Sequence, residues 1–416
     1  MNVLDTLDAR GFIHQTTDDP SDRGKLRELL ANPPVTAYIG FDPTASSLHV
    51  GSLVQIMALV HLQSAGHRPI AIVGGGTGLV GDPSGKEELR QLLSRNNVDA
   101  NLAAIRAQLA RYIDFDDGRA LILDNAEWLV GLNYLEFLRD YGRHFSVNRM
   151  LAHECFKIRY TSDTGLSFLE FNYMLLQAYD FLLLFRDHGC KMQIGGSDQW
   201  GNIVAGIELI RRADGGEAYG LTIPLIQTAD GKKMGKTERG AVWLAADRTS
   251  PYDFYQFWVN TDDRDVGRFL RIFTLLDLDE IARLESLEGR EINEAKRVLA
   301  FEATKITHGA EEATRAAEAA VALFRKGGPQ VDAVDMPTLD VGEARLEEGV
   351  LAIVLAAEGK LCQSRNEARR LARQNGLSVN GTKVSDDYTV TAKDVQEGVI
   401  LLRAGKKRYL RVVPVT

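Results

Sequence analysis

Apolar residues in the first half of the chain recur in patterns that predict alternating strands and helices. Residues 35–40 (VTAYIG) and 69–73 (PIAIV) are short apolar runs, which predict two buried strands. Between them, residues 52–65 carry apolar side chains at three- and four-residue spacing and end at Gly66, which predicts a helix. This strand–helix–strand order predicts a parallel unit with a right-handed crossover.

The same pattern continues to about residue 225. Residues 121–124 (LILD) and 191–194 (KMQI) predict two further strands, and residues 168–186 predict a long helix. Strands that alternate with helices are typical of an open α/β sheet. The first half of the chain is therefore predicted to be an α/β domain with a parallel sheet.

The second half has a different composition. Residues 227–240 form a loop rich in glycine and lysine, and Ser250-Pro251 predicts a helix N-terminus. From there to about residue 324, Ala, Glu and Leu dominate and predict helices. Residues 326–341 hold two glycines and two prolines, which predict a linker. Beyond it, residues 366–374 predict a helix that ends at Gly376, and Asn380-Gly381 predicts a hairpin.

Composition excludes several classes of protein. The 416 residues are 45% hydrophobic and 25% charged, as in multidomain globular proteins. No apolar run is long enough to span a membrane, and residues 1–10 lack a secretory signal. Cys155, Cys190 and Cys362 are too far apart for a CxxC pair, a zinc cluster or a disulfide framework. We therefore expect a cytoplasmic protein without a structural metal, in which the cysteines are simply buried.

The charge distribution indicates a partner. The net charge is −8, yet residues 350–416 hold twelve Lys and Arg against six Asp and Glu. A basic tail on an acidic body indicates that the tail binds nucleic acid.

One glycine motif resembles a dinucleotide site without its context. Residues 76–81 (GTGLVG) fit GxGxxG after a strand. However, the next residues, DPSG, predict a turn instead of a helix, and no acidic residue ends a strand about 20 positions later. An NAD-dependent dehydrogenase therefore stays only as an alternative, which failure to bind NAD would exclude.

Two other loops suit phosphate binding. Residues 42–52 (DPTASSLHVGS) join a strand to a helix N-terminus, where backbone N–H groups favour an anion, and His49 and Ser52 add donors. Residues 230–237 (DGKKMGKT) place lysines on a glycine-hinged loop, which suits a polyphosphate. Taken singly, a capped helix and a solvated turn explain these loops better. Their occurrence together favours a nucleotide site.

The two loops resemble the HIGH and KMSKS signatures of class I aminoacyl-tRNA synthetases. From about residue 35 to residue 261, five runs are similar to bacterial tyrosyl-tRNA synthetases: AYIGFDPTASSLHVGS, GHRPIAIVGGGTGLVGDPSGK, FNYMLLQAYDF, QIGGSDQWGN and KKMGKTERGAVWL. The resemblance implies a Rossmann-like nucleotide-binding catalytic domain (1–228), then the signature loop with an α-helical anticodon-arm domain (229–325). A linker (326–345) and a small α+β RNA-binding domain of the ribosomal-protein S-four type (346–416) would follow.

The resemblance also implies the activity, that of an ATP-dependent tyrosine–tRNA ligase in protein biosynthesis. The tyrosine carboxylate would attack the α-phosphate of ATP, which is accompanied by Mg²⁺, and release pyrophosphate. The tyrosyl group of the adenylate would then pass to the 3′ end of tRNA(Tyr). Positioning and charge stabilisation suffice for this chemistry, which needs no protein nucleophile and no tightly bound cofactor. The family works as a homodimer, which we expect here by resemblance.

Site residues follow from the resemblance, residue by residue. Tyrosine would be bound by Tyr38 and Asp180 at its hydroxyl, Asp82, Tyr173 and Gln177 at its amine, Gln199 near its carboxylate, and Thr77 and Asn125 along the pocket. ATP would be bound by Gly40, Asp42, Thr44, His49, Gly51, Ser52, Asp198 and Lys236, and Lys86, Arg90, Lys233 and Thr237 would complete the catalytic set. In the tail, tRNA would be bound by Arg365, Arg369, Arg373, Lys406, Lys407 and Arg408.

One departure keeps alternatives open. Ser52 occupies the position of the second signature histidine, and losing one hydrogen bond there would cost on the order of 1–3 kcal/mol of transition-state stabilisation. Ser52 is the only support for a synthetase-like RNA-binding protein that has lost activation. A tryptophan-specific relative is a further alternative, against which Asp180 argues because tryptophan has no phenol to pair with it.

Overall fold

The computed structural model describes residues 2–18, 24–84, 95–153, 156–157, 160, 165–237, 240–322, 337–396, 398–405 and 408–415. The chain divides into two compact units, of which unit 1 comprises Met1–Thr249 and Phe257–Thr307 and unit 2 comprises Ser250–Gln256 and His308–Thr416. Within the described ranges, no helix has both the length and the hydrophobicity that crossing a membrane requires.

Unit 1 contains a six-stranded sheet. Its strands are β1 (Gln15–Thr16), β2 (Thr36–Phe41), β3 (Arg68–Val73), β4 (Leu121–Asp124), β5 (Cys190–Gly196) and β6 (Tyr219–Ile223). They lie in the order β1-β6-β5-β2-β3-β4, all parallel except β1. This confirms the predicted α/β class, and β2 to β5 lie within two residues of the predicted strands. The sequence pattern did not identify β1 or β6.

Helices precede and follow these strands along the chain. They are α1 (Val3–Ala9), α2 (Gly24–Leu29), α3 (Val50–Ser64), α4 (Arg95–Leu109), α5 (Ala126–Leu129), α6 (Tyr134–Asp140), α7 (Val147–Ala152), α8 (Phe168–His188), α9 (Trp200–Asp214), α10 (Pro251–Val259), α11 (Val266–Phe273), α12 (Leu278–Glu285) and α13 (Ile292–His308). A capping box of Ser167 and Glu170 begins α8, and Gly189 ends it in the left-handed conformation. Both ends of this long helix are thus fixed locally.

The strand order determines where a ligand can bind. The central strand β2 has β3 on one side and β5 on the other, and the chain reaches these two neighbours through separate connections. In open α/β sheets, a crevice forms outside the carboxyl ends of the strands where the connections diverge. The loops after β2, β3, β4 and β5 meet at this edge.

A short antiparallel pair, β7 (Lys236–Thr237) and β8 (Gly240–Ala241), lies in the predicted lysine-rich loop. In unit 2, the elements are α14 (Ala310–Ala322), β9 (Thr338–Gly342), α15 (Glu343–Glu348), β10 (Val350–Leu351), α16 (Ala352–Glu358), α17 (Arg365–Arg373), β11 (Leu377–Val379), β12 (Thr382–Lys383), β13 (Thr389–Val390), β14 (Ile400–Ala404) and β15 (Arg408–Val415). Five of the strands form a sheet in the order β12-β11-β14-β15-β9. One face of it packs with α16 and α17 around a core that includes Leu355, Leu402 and Leu410.

Three local predictions for this unit can be compared with the structure. The hairpin is confirmed, because Asn380 and Gly381 have φ angles of 47° and 81° between β11 and β12. The helix stop was placed at Gly376, but the left-handed residue is Asn375, and the Gly376 N–H bonds to the carbonyl of Leu371. The segment predicted as a linker contains β9, which pairs with β15, while residues 323–336 lie outside the described ranges. The predicted domain boundaries stay a prediction.

Candidate active site

A cleft of about 390 Å³ opens at the carboxyl edge of the sheet in unit 1. Its lining includes these predicted site residues: Tyr38, Gly40, Asp42, Thr44, His49, Gly51, Ser52, Thr77, Asp82, Asn125, Tyr173, Gln177, Asp180, Asp198, Gln199 and Lys233. Lys86 and Arg90 lie outside the described residues, and only the backbone of Lys236 and Thr237 is described. Side chains from sequence positions 38 to 233 therefore share one cleft.

Asp180 and Tyr38 form a buried polar end of this cleft. The Asp180 carboxylate accepts hydrogen bonds from Asn125 Nδ2 at 3.0 Å and from Trp128 Nε1 at 2.7 Å. Burial raises the pKa of Asp180 to about 7, although both donors act to lower it. Burial and the nearby Asp180 also raise the pKa of Tyr38, whose hydroxyl has no hydrogen-bond partner in the described part of the chain. The Asp180 carboxyl and the Tyr38 hydroxyl are therefore two buried polar groups that line the cleft, and each can make a further hydrogen bond.

Asn125 connects this end to the glycine motif. Its Oδ1 accepts from the backbone N–H groups of Gly76 and Thr77 at 2.8 and 3.4 Å, and its Nδ2 donates to Thr77 Oγ1 at 3.0 Å. The motif itself forms a three-residue 3₁₀ turn, Thr77–Leu79, where a dinucleotide fingerprint would begin a long helix. The motif is therefore a turn and not a dinucleotide fingerprint, and its Thr77 lines the cleft.

A second polar network lines the opposite wall. Gln199 Nε2 donates to Asp82 Oδ2 at 2.6 Å, and Gln177 Nε2 donates to Gln199 Oε1 at 3.1 Å. Asn202 Nδ2 lies 3.1 Å from the Oε1 atoms of both glutamines. Burial, and then the charge of Asp42, raise the pKa of Asp82. These amides hold the buried Asp82 carboxylate in one orientation.

The third part of the cleft is the start of α3. His49 is the N-cap residue, and Gly51 follows in the first turn. A Cβ atom on Gly51 would lie 2.7 Å from the His49 ring and 3.1 Å from the Met234 carbonyl oxygen, so only glycine fits without displacement. The Val50 and Ser52 N–H groups donate within the protein, so this end offers an anion the Gly51 N–H and the helix dipole.

Main-chain hydrogen bonds connect the lysine-rich loop to this helix start. The Val50 N–H donates to the Val242 carbonyl at 2.9 Å, and the Leu244 N–H donates to the Leu48 carbonyl at 2.9 Å. Between them, Trp243 lies beside His49, with ring centroids 6.2 Å apart. Residues 242–244, which follow β8, are therefore hydrogen-bonded to the segment that carries His49.

Sequence reasoning missed three contributors. Trp128 lies one turn after Asn125, and nothing in its local sequence indicates a contact with Asp180. Asn202 belongs to the quoted run QIGGSDQWGN and could have been found there. Gln193 faces Tyr38 across β2 and β5, lines the cleft, and is almost fully buried.

Arg365, Arg369 and Arg373 are exposed on unit 2, whereas Arg408 is half-buried. Arg365, Arg369 and Arg373 lie on α17, but acidic neighbours pair with them: Arg373 Nε is 2.9 Å and Arg369 Nε 3.8 Å from Asp386, and Arg365 is 3.9 Å from Glu358. Arg408 pairs with Glu367 at 3.0 Å. Lys406 and Lys407 lie outside the described residues.

Metal ligands and thiols are the remaining groups to consider among the described residues. Within them, no three His, Cys, Asp or Glu side chains are grouped closely enough to hold a metal ion. Cys190 and Cys362 are buried free thiols, and burial raises the pKa of Cys190 to about 12. Cys155 lies outside the described ranges.

Comparison with known proteins identifies relatives of both halves. The family model described as "tRNA synthetases class I (W and Y)" matches residues 30–325, and that of the tyrosine–tRNA ligase SYY-like C-terminal domain matches residues 330–412. Tyrosine–tRNA ligases of Desulfatibacillum aliphaticivorans and Clostridium tetani are 57% and 51% identical, each over 99% of this chain and 99% of the relative. Among solved structures, a truncated mitochondrial tyrosyl-tRNA synthetase of Aspergillus nidulans is 31% identical with a TM-score of 0.70, over 78% of this chain and 94% of that one.

The first prediction concerns the buried carboxyl of Asp180. Its pKa is near 3.8 when exposed and about 7 in the folded chain, so the folded state binds the extra proton between these values. Asp180 therefore stabilises the fold less as pH rises from about 4 to 7, by at most about 1.4 kcal/mol per pH unit. Urea unfolding across this range should show the advantage of the wild type over Asp180→Asn decreasing with pH.

Asp214→Asn is the matched control. Arg186 lowers the pKa of the surface carboxyl of Asp214, so this group titrates below the same window. The stability difference between wild type and Asp214→Asn should stay level from pH 4.5 to 7. A level difference for Asp180→Asn as well would contradict the raised pKa.

Proposed function

This chain belongs to the tyrosine–tRNA ligases of class I, and we propose that its cleft activates tyrosine through the residues described above. A tyrosine–tRNA ligase consumes tyrosine, ATP and tRNA. The observation that carries the site assignment is the pair of buried groups, Tyr38 and Asp180, at the closed end of the cleft. A phenol hydroxyl there can donate to the carboxylate and satisfy the Tyr38 hydroxyl.

Phenol selection follows from burial. With phenylalanine in the cleft, the Asp180 carboxylate and the Tyr38 hydroxyl would lie against a ring edge that offers no hydrogen bond. Each buried polar group left without its partner costs about 1–3 kcal/mol, and a charged group costs more. Asn125 and Trp128 orient Asp180 so that one carboxylate lone pair stays directed at the substrate.

The opposite wall suits the amino-acid head group. Asp82 supplies a buried negative charge for the α-ammonium, and Tyr173 and Gln177 lie on the adjacent face of α8. An ammonium ion beside Asp82 would favour the ionised carboxyl and lower its pKa. Gln199, which donates to Asp82, lies where the substrate carboxylate would emerge toward the nucleotide.

The nucleotide would occupy the α3 end of the cleft as its magnesium complex. We assign Thr44, His49 and the Gly51 N–H at the start of α3 to the phosphates, and Asp198 to the ribose hydroxyls. Gly51 lets the nucleotide approach the backbone. Lys233 lines the cleft, whereas Lys86, Arg90, Lys236 and Thr237 are assigned by resemblance alone. Ser52 can donate one hydrogen bond in place of the usual histidine.

The reaction is then a direct displacement. An oxygen of the tyrosine carboxylate attacks the α-phosphorus, the bond from that phosphorus to the bridging oxygen breaks, and pyrophosphate leaves with the electron pair. Donors at His49 and Lys233 stabilise charge that grows on the phosphates. In the second step, a ribose hydroxyl of the tRNA 3′ end attacks the carbonyl carbon of the adenylate and AMP leaves.

We assign tRNA phosphate contacts to the basic helix α17 of unit 2. Arg370 is exposed on α17 and makes no ion pair with the described residues, so it adds to the predicted set. Asp386 competes with phosphate for Arg369 and Arg373. Such exposed pairs are weak, so tRNA can displace them.

A homodimer would cover an apolar patch on unit 1. We assign to this patch the seven exposed apolar side chains between residues 130 and 169: Val130, Tyr134, Leu135, Val147, Tyr160, Phe168 and Leu169. Leu135 and Phe168 are 76% and 70% exposed, which is unusual for a patch that faces only water. A second copy of this chain is the proposed occupant, in line with the family. The cytoplasmic location stays a prediction.

Amino-acid-dependent ATP–pyrophosphate exchange tests the activity. We expect exchange with tyrosine and none above background with phenylalanine or tryptophan, because only tyrosine satisfies Asp180 and Tyr38. Tyr38→Phe should raise the KM for tyrosine roughly tenfold, the loss of one hydrogen bond. Exchange with tryptophan would support the tryptophan-specific alternative. A folded protein that binds tRNA without any exchange would support loss of activation at Ser52.

For the tail, we expect Asp386→Asn to tighten tRNA binding about threefold to tenfold in 100 mM salt, because it releases Arg369 and Arg373. Filter binding between 50 and 200 mM salt should also show a steeper salt dependence. Asp387→Asn is the control, since it changes the charge equally but Asp387 bonds to Ser385. If both variants tighten tRNA binding equally, the effect comes from net charge and the proposed release of Arg369 and Arg373 is contradicted.

For the dimer, sedimentation equilibrium should show the wild type as two copies and Leu135→Asp as one. A charge placed in a buried interface without a partner is strongly unfavourable. Val321→Asp, at a 51% exposed apolar position of α14 outside the patch, should leave the dimer intact. A monomeric wild type at micromolar concentration would contradict the proposal.

A further inference from the structure

One face of α4 makes polar contacts with the loop that carries Thr44 and His49. Gln108, near the C-terminal end of α4, is only 7% exposed although it is polar. Its Oε1 accepts from the Leu48 N–H at 2.8 Å, and its Nε2 donates to Ser47 Oγ at 3.0 Å. The carbonyl oxygen and the amino group of the Gln108 side chain therefore bond to two consecutive loop residues, Leu48 and Ser47.

Ser47 is the centre of this junction. Its hydroxyl donates to the Leu48 carbonyl at 2.7 Å and accepts from the Ala245 N–H at 3.2 Å as well as from Gln108. The Leu244 N–H also donates to the Leu48 carbonyl. Ser47 and Leu48 thus connect α4 to residues 244–245, which follow the lysine-rich loop.

A second contact lies two helical turns earlier. Asn101 shares a face of α4 with Gln108, because seven residues make two turns, and its Nδ2 donates to the Pro43 carbonyl at 2.9 Å. The two tethered positions, Pro43 and Leu48, each directly precede a residue assigned to the phosphates, Thr44 and His49. The α4 helix therefore holds the loop at both of the points that set these side chains.

We propose that Gln108, supported by Asn101, is a positioning residue for the activation step. It fixes the positions of Thr44 and His49 relative to the nucleotide phosphates and relative to the lysine-rich loop. Neither residue lines the cleft, so the effect acts through the loop backbone. The proposal rests on the proposed function, since it assumes that Thr44 and His49 act on ATP. A displacement of a fraction of an ångström at such groups lowers the rate strongly.

The chain contains a matched control. Gln63, in the last turn of α3, makes the same two-sided contact elsewhere: its Nε2 donates to the Asp114 carbonyl at 2.6 Å, and its Oε1 accepts from the Asp114 N–H at 3.0 Å. Gln63 does not line the cleft. Methionine has nearly the same shape as glutamine but no amide, so Gln108→Met and Gln63→Met remove equivalent hydrogen bonds from different loops.

The experiment measures tyrosine-dependent pyrophosphate exchange and urea unfolding on both variants. We expect Gln108→Met to lower kcat about tenfold to a hundredfold while the KM for tyrosine changes less than twofold, because the tyrosine end of the cleft is untouched. Gln63→Met should keep kcat within twofold of the wild type while losing a comparable amount of stability. Asn101→Ala, at a half-buried position that is easier to accommodate, should lower kcat about threefold to tenfold.

The possible outcomes distinguish a failure of the proposed function from a failure of the positioning role of Gln108. A folded wild type without exchange would overturn the proposed function itself. An active wild type whose Gln108→Met and Asn101→Ala variants keep kcat within twofold would overturn only the positioning role. Equal losses of kcat in Gln108→Met and Gln63→Met would also overturn it, because the effect would then be general destabilisation. If Gln108→Met does not fold, Asn101→Ala alone decides between these outcomes.

Discussion

The buried carboxylate of Asp180 is the constraint around which the cleft is organised. A carboxylate removed from water is costly unless donors replace the lost hydration, and here Asn125 and Trp128 supply them. Asn125 can reach Asp180 only from the loop after β4, and its remaining polar atoms then bond Gly76 and Thr77. Solvating one charge therefore fixes two loops from different strands, which explains why the glycine motif forms a tight turn.

The sheet topology makes this arrangement possible. Because β2 lies between β3 and β5, the loops that carry the acidic, amide and histidine side chains all end at one edge, although they are far apart in sequence. One end of the cleft holds the buried Tyr38 and Asp180, whose carboxylate is bonded by Asn125 and Trp128, whereas the α3 end has the Gly51 N–H and a helix dipole. The cleft therefore has buried carboxyl groups in one part and the positive end of a helix dipole in another, as the proposed function requires.

Periodicity predicted the strands β2 to β5 and the helices α3 and α8 because each buries a continuous apolar face. It missed β1, which has only two residues, and β6 (Tyr219–Ile223). Of the residues assigned by motif resemblance, sixteen line one cleft. Neither approach could find Trp128 or Gln108, because their partners Asp180 and Leu48 lie 52 and 60 residues away and polar contacts leave no periodic pattern in the sequence. The same holds for the acids that pair with the α17 arginines.

The position of Ser52 illustrates how such contacts change the interpretation of a motif. By residue type alone, loss of the second signature histidine removes a donor from the phosphate site. In the structure, however, the Val50 N–H at the start of α3 is bonded to the Val242 carbonyl, and the preceding Leu48 is bonded to the Leu244 N–H and to the amide of Gln108. The backbone of this first turn, with the Gly51 N–H, is therefore preorganised whichever side chain stands at position 52, and preorganised donors are the main source of charge stabilisation in such reactions. The shorter side chain of Ser52 is therefore expected to lower the rate of activation without abolishing it, because the remaining donors stay in place.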